Sequence, residues 1–198
     1  MATDIELTGE NLKLALKILR DVTSILEARK ITYCLDGGTL LGIMREGRLL
    51  PWDHDLDLFV PSNEVKKVKA AMWKFRLSGY WTDRRRHGVD KPPCRLGDIR
   101  VIKVRNRRGL FSYGLMNLDI FIKYREGDNY YWIAGAKRRN VIKCVPSKFY
   151  DHLTQIEFDG KKYWIPEAYD EYLTHRFGDW RTPVKEWDHL ADDQAIIN

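Results

Sequence analysis

The stretch YCLDGGTLLGIMREGRLLPWDHDLDLFV, residues 33–60, decides how this chain of 198 residues is read. It begins inside ITYCL (31–35), a β-rich run that predicts a short strand. Gly37-Gly38 breaks that run, Thr39 to Arg45 predict a short helix, and Gly47 to Pro51 a loop. DLDLFV (55–60) alternates polar and apolar residues, as a half-buried strand does. Asp53, Asp55 and Asp57 stand at i, i+2 and i+4, so the alternation puts three carboxylates on one face and His54 on the other. Three like charges in a row repel one another unless something positive sits among them. A hard divalent cation, Mg²⁺ or Mn²⁺, suits carboxylate oxygens. The spacing alone also allows a simpler reading, in which one aspartate caps the turn after Pro51-Trp52 and the others are solvated.

The residues around the triad add to it. Gly37-Gly38-Thr39, between a strand and a helix, can offer backbone N–H groups and a hydroxyl to an anion, and glycines let a phosphate approach. A plain tight turn is the competing reading. Asp119 lies within MNLDIFIKY (116–124), a predicted strand, between apolar neighbours. An acid there is costly to bury unless it is paired with an arginine or bound to metal. Asp55, Asp57 and Asp119 together make a candidate clamp for a cation against a phosphate chain. IRVIKVR (99–105) alternates too, and places Lys103 and Arg105 on one side, where they can reach an anionic ligand. The P-loop, Rossmann, zincin and nucleophile-elbow spacings are all missing.

Further out, Leu12, Leu16, Leu19, Val22 and Leu26 mark one face of a helix over 9–29 with Thr8 as N-cap. Ser62 and Asn63 are expected to cap a second helix whose Val65, Val68, Met72 and Phe75 are buried. TQIEF and KKYWI flank Asp159-Gly160, a strong hairpin signal. Pro166 should open a last helix that Gly178 closes, with a polar, acidic tail from Arg181. The order predicts an α+β fold with a mixed or antiparallel sheet. One domain over 1–198 is expected, with its core at about 31–125 and a C-terminal hairpin and helix at about 154–180.

Composition sets limits. Apolar residues make up 44% and charged residues 31%, which excludes disorder as the main state. No apolar run approaches the roughly 18–20 residues of a membrane span. The N-terminal stretch has no basic and apolar regions of a leader, so a cytoplasmic chain is expected, or one peripheral to a membrane surface. Cys34, Cys94 and Cys144 are scattered, which fits a reducing compartment and no zinc site. Cys34 reads as core, and His87, His152, His175 and His189 as surface. The net charge is +6. Residues 84–108 hold ten Lys/Arg against two acids, a net of +8, so the rest of the chain is −2. Arg84-Arg85-Arg86 reads either as a solvated loop or as part of a face toward an anionic partner.

The run G-G-T-L-L-G-x-x-R-x-G-x-L-L-P-W-D-x-D-L-D, residues 37–57, resembles the LicD family, which includes bacterial phosphocholine transferases and more distantly the fukutin and fukutin-related proteins. That resemblance extends to 116–124 and to PEAYDEYLTHRFGDWRTP at 166–183. Over about 78–110 there is little. It implies a nucleotidyltransferase-like mixed β-sheet flanked by helices. It also implies transfer of a phospho-alcohol, phosphocholine or a polyol phosphate, from a CDP-linked donor to a sugar hydroxyl of a glycan, with release of CMP. On this reading Asp55, Asp57 and Asp119 hold Mg²⁺ or Mn²⁺, and Asp119 can also accept the acceptor's proton. Gly37, Gly38 and Thr39 grip phosphate, Arg45 meets charge on the departing phosphate or pairs with Glu46 or Asp36, and Asp53 stands behind the ligands. The implied acceptor is a sugar or glycan, anionic and lipid-linked forms included, and no specific nucleic-acid partner is expected.

Overall fold

The computed structural model describes residues 6–109, 112–136, 139–184 and 187–197. The first five residues of the stretch read for a leader lie outside it. One strand organises the molecule. β5 (Tyr113–Glu126) is long enough to carry different neighbours along its two edges. Its middle pairs in parallel with β2 (Leu56–Pro61), from Leu56↔Leu118 to Pro61↔Lys123. Its other edge pairs antiparallel with β4 (Ile99–Arg107), which pairs with β3 (Tyr80–Arg86). Its last residues turn into β6 (Asn129–Ala136) and β7 (Arg139–Pro146). β1 (Cys34–Leu35) is antiparallel to β2, giving the expected mixed sheet.

Residues on one face of these strands are apolar and buried: Leu56, Leu58 and Val60 on β2, Ile102 and Val104 on β4, Leu118, Ile120 and Ile122 on β5. Two helices supply the matching surface. α1 (Gly9–Ala28) buries Ala15, Ile18, Leu19, Val22 and Leu26, the spacing of one helical face. α3 (Val65–Leu77) buries Val68, Ala71, Met72 and Phe75. The opposite face of the sheet carries the carboxylates.

α2 (Gly37–Glu46) follows β1 directly. The hairpin of β8 (Leu153–Phe158) and β9 (Lys161–Pro166) turns at Asp159-Gly160, both with positive φ, as a tight hairpin turn requires. α4 (Lys148–Asp151) precedes it and α5 (Tyr169–Phe177) follows.

Several local expectations change. The first strand is two residues, because Ile31 and Tyr33 pack without ladder partners. Ser62 and Asn63 form a 3₁₀ turn with Glu64 rather than a side-chain cap. Thr8 takes the extended N-cap conformation, but its hydroxyl makes no capping bond. Pro166 ends β9, and the helix starts three residues later. Arg84–Arg86 belong to β3, an edge strand with those side chains exposed, not to a loop. His87 is 3% exposed instead of superficial. The acidic tail folds back: β10 (Ile196–Ile197) pairs with β7, and Asp193 is buried.

Candidate active site

A single splice positions the site. Asp36 donates its N–H to the Asp57 carbonyl at 3.1 Å, and the Asp57 N–H is accepted by Thr39 Oγ1 at 2.9 Å. These bonds lock the first turn of α2 against the start of β2. Gly37 has φ +52°, a region that favours glycine, and a Cβ there would overlap the Asp57 carboxylate. At Gly38 a Cβ would overlap the Asp53 carboxylate. The glycine pair therefore makes room for two carboxylates as well as lining the cleft. Thr39 does not face the cleft as expected. It is 1% exposed, and its hydroxyl is committed to β2.

The ladder sets the carboxylates side by side. Asp57 is opposite Asp119 on the parallel strand, and Asp119 is opposite Lys103. Lys103 pairs with Asp119 Oδ2, while the buried Asp119 Oδ1 has no hydrogen-bond partner among the described residues. Asp55 lies just before β2 and accepts from Asn117 Nδ2 at 3.4 Å. Burial pushes the Asp57 carboxyl well above the usual range, and the Asp55, Asp53 and Asp119 charges add to it. Burial and the Asp55 charge raise Asp53 to about 6. Asp119 also reaches about 6, because burial and Asp55 outweigh the opposing Lys103. Burial likewise raises Asp55, against the pull of Lys103.

The spacing of the aspartates predicts three converging carboxylates. Among the described residues no three Asp, Glu, His or Cys side chains do so. Asp55 precedes the strand and is held toward Asn117, and Asp119 is drawn toward Lys103. What remains is a carboxylate pair, Asp57 half-buried and Asp119 buried, with one orphaned oxygen on Asp119. That set fits Mg²⁺, which is commonly held by one or two carboxylates and completed by phosphate oxygens and water.

The carboxylates floor a cleft of about 770 Å³. Gly37, Gly38 and Arg45 line one side. Arg45 is tied to Glu46 at 2.9 Å and to the Trp180 carbonyl at 3.4 Å, the ion-pair alternative of its two readings. Lys103 lines the floor, whereas Arg105 lies 4.4 Å over the Tyr113 ring, outside the cleft lining. His54 also lines the cleft, because residues 53–55 precede the strand and the alternation does not reach them.

The far wall was not legible in advance. Arg100, Lys143, Arg176, Trp187 and His189 all line it. Arg176 holds Asp193 through three contacts of 2.6–2.9 Å, and Lys143 holds the same carboxylate at 2.6 Å. Burial and the Arg176 charge lower Lys143 to about 8, against the pull of Asp193. Deeper still, Asp36 meets Lys123 at 2.5 Å and the Tyr172 hydroxyl. Burial alone would raise Asp36, but the Lys123 and Arg176 charges take it down to about 2. Such contacts join residues distant in sequence, and the only sequence cue was the likeness of 166–183 to a closing helix.

Comparison with known proteins gives the family. A family model described as "LicD/FKTN/FKRP, nucleotidyltransferase domain" matches residues 30–168. Ribitol 5-phosphate transferase FKRP of Mus musculus is 41% identical over 167 residues, 80% of this chain and 30% of that protein. Ribitol-5-phosphate transferase FKTN of Homo sapiens is 27% identical over 181 residues, 89% of this chain and 35% of that one. Lipopolysaccharide cholinephosphotransferase LicD of Haemophilus influenzae is 38% identical over 52 residues, 26% of this chain and 20% of that protein. The chain thus spans 30–35% of the length of the two ribitol 5-phosphate transferases.

Proposed function

The chain belongs to the LicD/FKTN/FKRP nucleotidyltransferase family, and from that premise we propose that it transfers a phospho-alcohol, phosphocholine or a polyol phosphate, from a CDP-linked donor to a sugar hydroxyl of a glycan. CMP is the leaving group. The observation that carries the reading is the pair of half-buried Asp57 and buried Asp119, in register on parallel strands, with one Asp119 oxygen unpartnered.

Asp57 and Asp119 would hold Mg²⁺ or Mn²⁺, with Asp55 beside them. When bound, the ion neutralises charge on the diphosphate as the phosphoryl group moves. The chain's own groups do the rest. The first-turn N–H groups of α2 have no intrahelical acceptor and can take phosphate oxygens at Gly37 and Gly38. Lys103 keeps Asp119 ionised and oriented. Asp119 is also the carboxylate placed to accept the proton of the acceptor hydroxyl. Asp53 supports the Gly38 turn. Arg45, fixed by Glu46, joins the Gly37 wall to Trp180 and keeps the cleft shape.

Melting curves with CDP-choline, CDP-glycerol and CDP-ribitol, each with and without Mg²⁺, test the donor. A ligand at about 100 times its Kd adds about 2.7 kcal/mol. We expect a rise with at least one of them, in Mg²⁺ only, and CMP as product. Failure of all three together with a rise in Mg²⁺-ATP and release of pyrophosphate would point to transfer of the nucleotide itself.

A further inference from the structure

On the reading that this is a glycan-modifying transferase, we propose that the cleft-side face of β3 and β4, centred on Trp81, Arg105 and Tyr113, is the subsite for an anionic sugar chain, the acceptor. The register carries the argument. Directly paired residues in a sheet share a face. One row runs Asp57, Asp119, Lys103, Asp83, and the next Asn117, Arg105, Trp81. Asn117 joins the rows, donating to Asp55 and accepting from Lys103 at 3.4 Å each. The carboxylate face therefore continues without a break to the sheet edge.

Strand and residue spacings put Arg105 and Trp81 about 7–12 Å from Asp119, a reach that a short saccharide covers. Trp81 and Arg105 are half-buried here and open onto exposed neighbours. Tyr113 is 49% and Leu115 60% exposed, while the other face is packed by α1 and α3. Trp81 and Tyr113 have ring centroids 5.9 Å apart, tilted by 40°, with the Arg105 guanidinium on Tyr113. Aromatic faces are electron-rich and accept the polarised C–H groups of a pyranose ring. An arginine fork matches a carboxylate, phosphate or sulfate. Arg105 makes no ion pair among the described residues, nor does Arg107 opposite Tyr113, whereas Arg85 on the same face pairs with Asp83 at 2.9 Å. The field of the +8 stretch thus reaches solvent at this edge. A polynucleotide fits less well. Laid along this face, its phosphates would run into Asp55 and Asp57, whereas a sugar chain can end there in a neutral hydroxyl.

The test titrates the folded chain with a heparin-derived tetrasaccharide and, as the neutral control, maltotetraose. Parent, W81A, W81F and R105Q are compared by calorimetry, and their melting temperatures and the CDP response in Mg²⁺ are recorded alongside. We expect the parent to bind the anionic tetrasaccharide and not the neutral one. W81A and R105Q should weaken binding about tenfold, W81F should retain most of it, and the CDP response should be the same in all four. Unchanged binding in both W81A and R105Q would overturn the subsite. Duplex DNA bound as tightly, with the same losses, would overturn it in favour of a general polyanion surface. A dimer of the parent that W81A disperses would assign the face to a second copy of the chain. Because the tetrasaccharide is read without a donor, a parent that binds it but shows no CDP response would refute the donor reading and leave the subsite standing.

Discussion

On the proposed reading, Asp57 is at once unfavourable for folding and needed to hold the cation. It is crowded by Asp55, Asp53 and Asp119, and burial pushes its carboxyl well up. Two carboxylates about 5 Å apart repel by about 3 kcal/mol at an effective dielectric near 20. D57N keeps the shape and removes a charge. In EDTA it should melt at or above the parent temperature; in excess Mg²⁺ the order should reverse, because only the parent gains binding energy. Activity should fall by orders of magnitude in both buffers. Equal destabilisation in both would refute a cation at this position. His87 makes a separate residue-scale statement. It is buried, and neither ring nitrogen has a hydrogen-bond partner among the described residues. Burial and the nearby Arg100 charge lower it to about 4. The folded state then binds fewer protons than the unfolded state between about pH 6.5 and 4, so this contribution is present above pH 6.5 and lost on acidification. Denaturant midpoints of the parent and H87L across that window should diverge, the parent losing up to about 3 kcal/mol more.

At the scale of elements, the joint between α2 and β2 connects fold to site. T39V removes the acceptor for the Asp57 N–H. It should cost about 1–3 kcal/mol, since that donor stays buried without a partner. Catalytic loss should exceed what the lost stability explains, and T39S should restore both. A T39V protein of parent activity would show that the joint does not position Asp57. This joint marks how far the sequence could be read. The alternation in 56–60 and the acid of 116–124 put Asp57 and Asp119 on one face, because ladder periodicity is local, whereas Asp53 and Asp55 precede the strand and escape it. Thr39 was misassigned because a hydroxyl beside a glycine turn looks the same from sequence whether it meets a ligand or a neighbouring strand. Arg105 was on the right face, but its ring partner comes from across the bulged end of the β4–β5 ladder. Asp193 gave no cue at all, since a buried aspartate in a polar tail becomes visible only once Arg176 and Lys143 are brought beside it.

At the scale of the whole molecule, the C-terminal segment closes the structure. Asp193 neutralises two buried cations from different elements, Lys143 on β7 and Arg176 on α5. D193A would leave Lys143 without its carboxylate and Arg176 with Asp36 alone, 3.6 Å away, and should cost about 3 kcal/mol. Urea titration checks this: a loss under 1 kcal/mol would mean that the tail is an ornament rather than a clasp. The clasp also has a consequence in time. A chain leaves the ribosome from its N-terminus, and its folded units form in that order. β2, β4 and β5 emerge before residues 187–197 do. Lys143 and Arg176 then wait without Asp193, and the cleft lacks the wall that Trp187 and His189 provide. The nascent protein would therefore pass through a stage with its carboxylate floor built and its far side open, and translation itself would set the moment at which the site is complete.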